Sequence, residues 1–356
     1  MALFTLIVLL VFAVSYLYLR GENLSYLDSN VMPRPSCEPS AEHLQIVDSI
    51  KEMTSIRGGG RKRLAMIRQY MDAMSDGRDF DSQFVPVNVG DLCGEWVIAP
   101  GVDSRRRLLY IHGGAWLAGS PKSHRSITNR LSKVANAAVF SVNYRLLPEH
   151  RRAAGIQDCQ EAYRWLLNNG PEGPTELDFL LVAGDSAGGN LTLSVIAWAR
   201  DVKLRAADAA IAFSPATDMA LTSPSILSNV PSDPMLGPTF GKMTKVPLPL
   251  LWWVSWFTNK IRPADPLVSP LRGDLSGLPP ILVQVSEAEM LFDDARRYVS
   301  KAQAAGSPVV LQSWPHMVHV WQIFTPELPE ANHAYDNIDE FLATVEGLAA
   351  HAVKAA

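Results

Sequence analysis

LLVAGDSAGGNLTL, residues 180–193, sets a branched apolar run against a knot of glycines around one serine. The run reads as a buried strand, and the residues from Gly188 to about Arg200 read as a helix. Ser186 stands between them in Gly184-Asp185-Ser186-Ala187-Gly188, a G-x-S-x-G match. That turn is tight and strained, so the residues flanking the serine must lack bulk. The helix behind it points its first amides and the positive end of its dipole at developing negative charge. A loop of small residues would look the same in isolation. The reading therefore depends on what surrounds it.

Upstream, RRLLYIHGG reads as a second buried strand that runs into HGGAW, His112 to Trp116. Glycines there let backbone N–H groups face a substrate oxygen, as an oxyanion hole requires. Gly113, Gly114 and Ala187 are the candidate donors, and His112 is expected to orient the loop. A serine nucleophile also needs a base and an orienting carboxylate, which follow it along the chain in this kind of sheet. Four histidines follow Ser186: His316, His319, His333 and His351. The last two fall on or beyond a terminal helix expected over Asn332 to about Val345. WPHMVHVW follows the last strand, where a loop can swing over the carboxyl edge of a sheet, so His316 and His319 are the candidates. QVSEAEMLFDDA supplies Glu287, Glu289, Asp293 and Asp294 as candidate acids. Asp293 and Asp294 also suit the first turn of a helix, where the dipole favours negative charge.

The rest of the chain alternates apolar strands with amphipathic helices, which specifies a mostly parallel α/β sheet covered on both faces. FVPVNV and CGEWVIA flank a Gly-Asp hairpin signal ahead of it. The expected organisation is an N-terminal hydrophobic helix (1–20), a helical cap segment (21–82), the first part of the core (83–216), a cap insertion (217–262) and the second part of the core (263–356). LLWWVSWF, Leu250 to Phe257, lies in that insertion. It can line an acyl pocket, rest on a membrane, or pack the cap against the sheet. Trp116, Trp252 and Trp253 are the candidate substrate-binding residues.

Composition excludes several classes. The 356 residues are 47% hydrophobic and 19% charged, an ordinary globular balance. The net charge of −4 is spread along the chain, so nothing marks a nucleic-acid partner. RGGGRKR, Arg57 to Arg63, lacks the Gly-Lys-Ser/Thr ending of a phosphate loop and reads as a solvated break between two helices. Cys37, Cys93 and Cys159 are too few and too scattered for a disulfide framework or a metal site. No cofactor or metal is implied.

The opening MALFTLIVLLVFAVSYLYLR carries no charged side chain from Ala2 to Leu19. As one helix it would reach roughly 27 Å, about the thickness of a bilayer core. A cleaved signal peptide, leading to a secreted or periplasmic protein, would want a basic n-region and a better cleavage site. A buried helix would normally show a polar face. The favoured expectation is a retained membrane anchor, with the catalytic domain on the cytoplasmic side because Arg20 and Arg34 follow the run.

With HGGAW, NYRLLPEH, GDSAGGN and HVW in that order, the chain resembles the hormone-sensitive-lipase family of α/β-hydrolases, the bacterial family IV carboxylesterases. The resemblance runs from about Pro86 to Phe341. It implies an α/β-hydrolase fold, Ser186 as nucleophile, Gly113 and Gly114 as oxyanion glycines, and cap elements matching Glu42 to Met74 and Thr217 to Ile261. The family acid usually appears as Asp-Pro-Leu, and aligning it on Glu289-Met290-Leu291 makes Glu289 the acid. The family histidine usually appears as His-Gly-Phe, which His319-Val320-Trp321 fits better than His316-Met317-Val318. The implied activity is hydrolysis of short or medium acyl esters, and LLWWVSWF together with the apolar N-terminus points to a lipophilic ester. An amidase, formamidase or lactonase would use the same triad. A non-catalytic receptor similar to the plant gibberellin receptors would lack the histidine.

Overall fold

The computed structural model describes residues 2–28, 38–54 and 59–355, so Cys37 and the start of the RGGGRKR break lie outside the described residues. Eight strands form one sheet in the order β1-β2-β4-β3-β5-β6-β7-β8. They are β1 (Gln83–Val89), β2 (Leu92–Ile98), β3 (Asp103–Ile111), β4 (Ala137–Val142), β5 (Phe179–Asp185), β6 (Ala209–Phe213), β7 (Ile281–Ser286) and β8 (Val309–Trp314). β1 and β2 make the expected hairpin about Gly90-Asp91, and β2 pairs antiparallel with β4. Every pairing from β4 to β8 is parallel.

The strand residues alternate between two apolar layers because successive side chains point to opposite faces. Leu180 and Val182 join one layer, with Tyr163 and Leu166 of α5 (Arg152–Leu166), Leu191 and Val195 of α6 (Ala187–Asp201), and Tyr298 of α10 (Phe292–Ala304). Leu181 and Ala183 join the other, with Ile127 and Leu131 of α4 (Arg125–Val134) and Tyr335, Ile338 and Leu342 of α11 (Pro329–Ala355). A strand buried on both faces has no polar side to show, which is why residues 179–183 read as an unbroken apolar run. Each such large aliphatic side chain contributes about 1.5–3 kcal/mol through burial. The terminal helix is longer than its sequence pattern suggested and includes His351.

Two further segments bear on the site. Helices α2 (Ala41–Thr54) and α3 (Gly60–Ala73) precede the sheet. Ile46, Val47 and Ile50 of α2 pack on Met317, Val318 and Trp321, while Arg68 of α3 donates to the carbonyls of Leu117 and Leu147. Between β6 and β7 the chain adds α7 (Ser225–Ser228), α8 (Leu236–Phe240) and α9 (Leu248–Asn259).

The N-terminus corrects the sequence reading. Among the described residues no helix is long and apolar enough to cross a membrane, which overturns the expected anchor and the membrane localisation built on it. The regular helix α1 covers Ala2–Ala13, about 18 Å at 1.5 Å per residue, short of the roughly 30 Å of a hydrocarbon core. Val14–Leu19 then form a π-helix with Ser15 and Leu19 buried. That segment docks on α9: Trp253 Nε1 donates to Ser15 Oγ at 2.9 Å, and Tyr16 meets Trp252 edge-on at 5.6 Å. Beyond it the Leu19 carbonyl accepts from Ala264 N, and Leu24 enters the main core. Asp28 pairs with Arg297 at 2.7 Å, and that hydrogen bond leads the effects holding its carboxyl below the usual range.

Candidate functional site

β5 ends at Asp185, and α6 begins at Ala187, leaving Ser186 alone at the junction with φ 53° and ψ −115°. A positive φ at a non-glycine residue is strained, and here neighbouring backbone holds it. Ser186 N donates to Phe213 O at 2.8 Å, and Ser186 O accepts from Ala216 N at 3.3 Å. The turn also explains its glycines. A Cβ at Gly188 would collide with the carbonyl oxygens of Ile111 and His112, and one at Gly184 with those of Ile111 and Gly188. The backbones of β3 and α6 therefore touch with no side chain between them.

The carboxyl ends of β7 and β8 bring the partners. Ser186 Oγ lies 2.8 Å from His319 Nε2, and His319 Nδ1 lies 2.5 Å from Glu289 Oε2. Ser186 is half-buried, whereas His319 and Glu289 are buried. Glu289 Oε1 accepts from Ser286 N at 2.9 Å, which fixes the carboxylate against the end of its own strand. Burial pushes the Glu289 carboxyl above its ordinary value, only partly opposed by His319. Burial alone would lower His319, but the adjacent Glu289 charge and hydrogen bond leave it above its ordinary value. The geometry separates the other candidates from this chain of hydrogen bonds. His316 and His333 are exposed. Glu287 accepts from Ser313 Oγ, Asp293 from Ser225 N, and Asp294 from Thr217 N and Asp218 N.

HGGAW follows β3 along the same edge. The backbone takes positive φ at Gly114 (110°), Ala115 (55°) and Trp116 (60°) in succession. Gly113 N donates to Asp185 Oδ1 at 2.9 Å. Its N–H is thus already used, and the expectation that it faces a substrate oxygen is corrected. The N–H groups of Gly114, Ala115 and Ala187 donate to no protein acceptor among the described residues. Asp185 also accepts from Tyr110 Oη at 2.6 Å and faces His124 Nε2 at 3.4 Å, so the residue before Ser186 anchors the loop after β3. Within this loop His112 Nδ1 meets Gly113 O at 2.8 Å, and the ring stacks on Tyr144. Burial takes the His112 imidazole down to about 3, so it stays neutral.

Each of the three tryptophans has a partner within the protein. Arg152 lies 3.7 Å over the Trp116 ring. Trp252 is buried and donates from Nε1 to Ala220 O at 2.8 Å, and Trp253 binds Ser15. Trp252 and Trp253 therefore hold the N-terminal segment, a correction to their expected place against substrate. No group of three or more His, Cys, Asp or Glu side chains suited to a metal ion occurs among the described residues.

A family model described as the α/β hydrolase fold matches residues 108–323. An acetyl-hydrolase of Streptomyces hygroscopicus is 38% identical over 262 residues, spanning 73% of this chain and 83% of that protein. Esterase LipU of Mycobacterium tuberculosis is 34% identical over 251 residues, 70% of this chain and 82% of its own length. The crystal structure of an esterase from the bacterial hormone-sensitive lipase family superposes with a TM-score of 0.75 at 32% identity, over 86% of this chain and 98% of that one. The chain belongs to the hormone-sensitive-lipase family of α/β-hydrolases. It is a carboxylesterase-type hydrolase. One candidate in this family member escaped the sequence reading, the Ala115 N–H. The signal that could have found it is Asp185, a carboxylate one residue before Ser186 that needs donors of its own.

Proposed function

We propose that this hydrolase cleaves carboxylic esters of short to medium acyl chains through Ser186, His319 and Glu289. The observation that carries the reading is the unbroken hydrogen-bonded chain from Ser186 Oγ through His319 to Glu289. His319 Nε2 takes the Ser186 proton as Oγ attacks the ester carbonyl carbon. The carbonyl oxygen becomes an oxyanion, met by the N–H groups of Gly114, Ala115 and Ala187 at the start of α6. Glu289 stabilises the imidazolium and fixes its tautomer. The tetrahedral intermediate collapses with cleavage of the acyl C–O bond, and His319 returns the proton to the leaving alcohol. Water, deprotonated by His319, then attacks the acyl-enzyme carbonyl and releases the acid and Ser186. The acetyl-hydrolase among the relatives supports short acyl groups.

The test is turnover of p-nitrophenyl esters from acetate to palmitate, beside matched anilides and lactones. Wild type is expected to show its highest kcat/KM at or below octanoate, and Ser186→Ala to lose about 10⁶-fold in kcat. Equal turnover by Ser186→Ala, or a preference for palmitate or for amides, would reject the reading.

A further inference from the structure

The turn that carries Glu289 is held from outside. Residues 287–290 follow β7 and expose four carbonyls and an N–H that their own turn mostly leaves free. One short stretch of the excursion between β6 and β7 meets all of them. Asn229 Nδ2 donates to Glu287 O at 2.8 Å and to Glu289 O at 2.9 Å. Ser232 Oγ donates to Ala288 O at 2.8 Å, and Ser225 Oγ to Met290 O at 2.8 Å. Met290 N donates to Asp233 Oδ2 at 2.9 Å, while Asp233 Oδ1 accepts from Met235 N and Leu236 N.

Apolar packing points the same way. Met290 and Leu291 cluster with Ile226, and Val230, Leu236 and Phe240 pack against them. A Cβ at Gly237 would collide with the Val230 carbonyl, so this stretch folds tightly on itself before it reaches the turn. Asp233 is buried, and its charge acts on both members of the Glu289–His319 pair, raising each.

We propose that Asp233, supported by Asn229 and Ser232, is the positioning residue for the triad acid. The excursion between β6 and β7 is then the template on which the Glu289 turn takes its working shape. Its docking and the assembly of the triad are one event. The proposal rests on the Ser186–His319–Glu289 reading and adds to it a residue that touches no reacting atom. Asparagine at 233 has nearly the same volume but cannot accept hydrogen bonds on both sides of its side chain. It meets either Met290 N–H or the Met235 and Leu236 N–H groups with a donor.

The experiment measures steady-state kinetics with p-nitrophenyl butyrate, pH profiles and melting temperatures for wild type, Asp233→Asn, Asn229→Ala and Ser186→Ala. The expected result for Asp233→Asn is a kcat lower by about 10- to 100-fold with KM within about twofold, as for a small misplacement of a catalytic group. The acid limb of kcat/KM should also move to lower pH, because one of the charges facing His319 is gone while Glu289 and Asp185 remain. Loss of packing alone would leave that limb in place. Asn229→Ala should lower kcat without moving the limb, and it carries the kcat comparison if Asp233→Asn melts below the assay temperature. Folded variants with wild-type kcat and an unmoved limb overturn the proposal alone. Wild type without Ser186-dependent turnover overturns the triad reading and this proposal with it.

Discussion

The carboxyl edge of the sheet and the N-terminal twenty residues are both dominated by uncharged side chains, yet one was legible and the other was not. At the edge, each residue type answers a local demand. A serine at positive φ needs small neighbours, and Gly188 is required because the Ile111 carbonyl lies where its Cβ would be. In the N-terminal run the deciding partners are more than two hundred residues away, in Trp252, Trp253 and Ala264. An apolar run states that it needs a partner without saying which one. A span across lipid and a π-turn docked on an aromatic helix write the same letters.

The contrast can be broken first at the edge. His319→Ala should lower kcat by about 10⁶-fold, whereas exposed His316→Ala should stay within about twofold. The reverse order, read by steady-state ester hydrolysis, would move the base three residues along the loop. Glu289→Gln should cost about 10⁴-fold in kcat by analogy with removal of a triad carboxylate, at an unchanged fold by circular dichroism.

The same substitution sharpens the electrostatics. Protonated His319 cannot accept the serine proton, and its folded value lies above the ordinary imidazole value. Wild-type kcat/KM should therefore fall on the acid side with a midpoint above that ordinary value. Residual activity in Glu289→Gln should fall with a lower midpoint, since the charge that raised it is gone. Equal midpoints in the two pH profiles would remove Glu289 from contact with the base.

At the N-terminus the effects should be on stability and not on chemistry. Leu19→Ala should destabilise by about 2–5 kcal/mol in denaturant unfolding, because the side chain is fully buried. Trp253→Phe removes the hydrogen bond to Ser15 and should cost about 0.5–1.5 kcal/mol. If Leu19→Ala leaves stability unchanged, the segment is not part of the packed body and the contrast between the regions disappears.

Much of the candidate site was readable because strand ends announce themselves. Ser186, Glu289 and His319 follow the ends of their strands by one, three and five residues. Asp293 and Asp294 stood beside Glu289 as candidate acids in the sequence, although the first turn of a helix also suited them. The reason they differ is non-local: their oxygens are taken by the backbone of residues 217, 218 and 225. Gly113 was misplaced for a similar reason, since its N–H is claimed by Asp185 across two strands. Trp252 and Trp253 looked like pocket walls because aromatic residues suit ligands and protein partners alike.

The direct backbone contact between β3 and α6 at Gly188 has a consequence for how this enzyme can change. The proposed oxyanion donors and nucleophile are registered to one another by that main-chain contact and by the buried Asp185 carboxylate, which accepts from Gly113 N. No side chain that could line an acyl pocket takes part in setting that register. Substrate preference can therefore drift, residue by residue, while the reacting geometry is inherited intact.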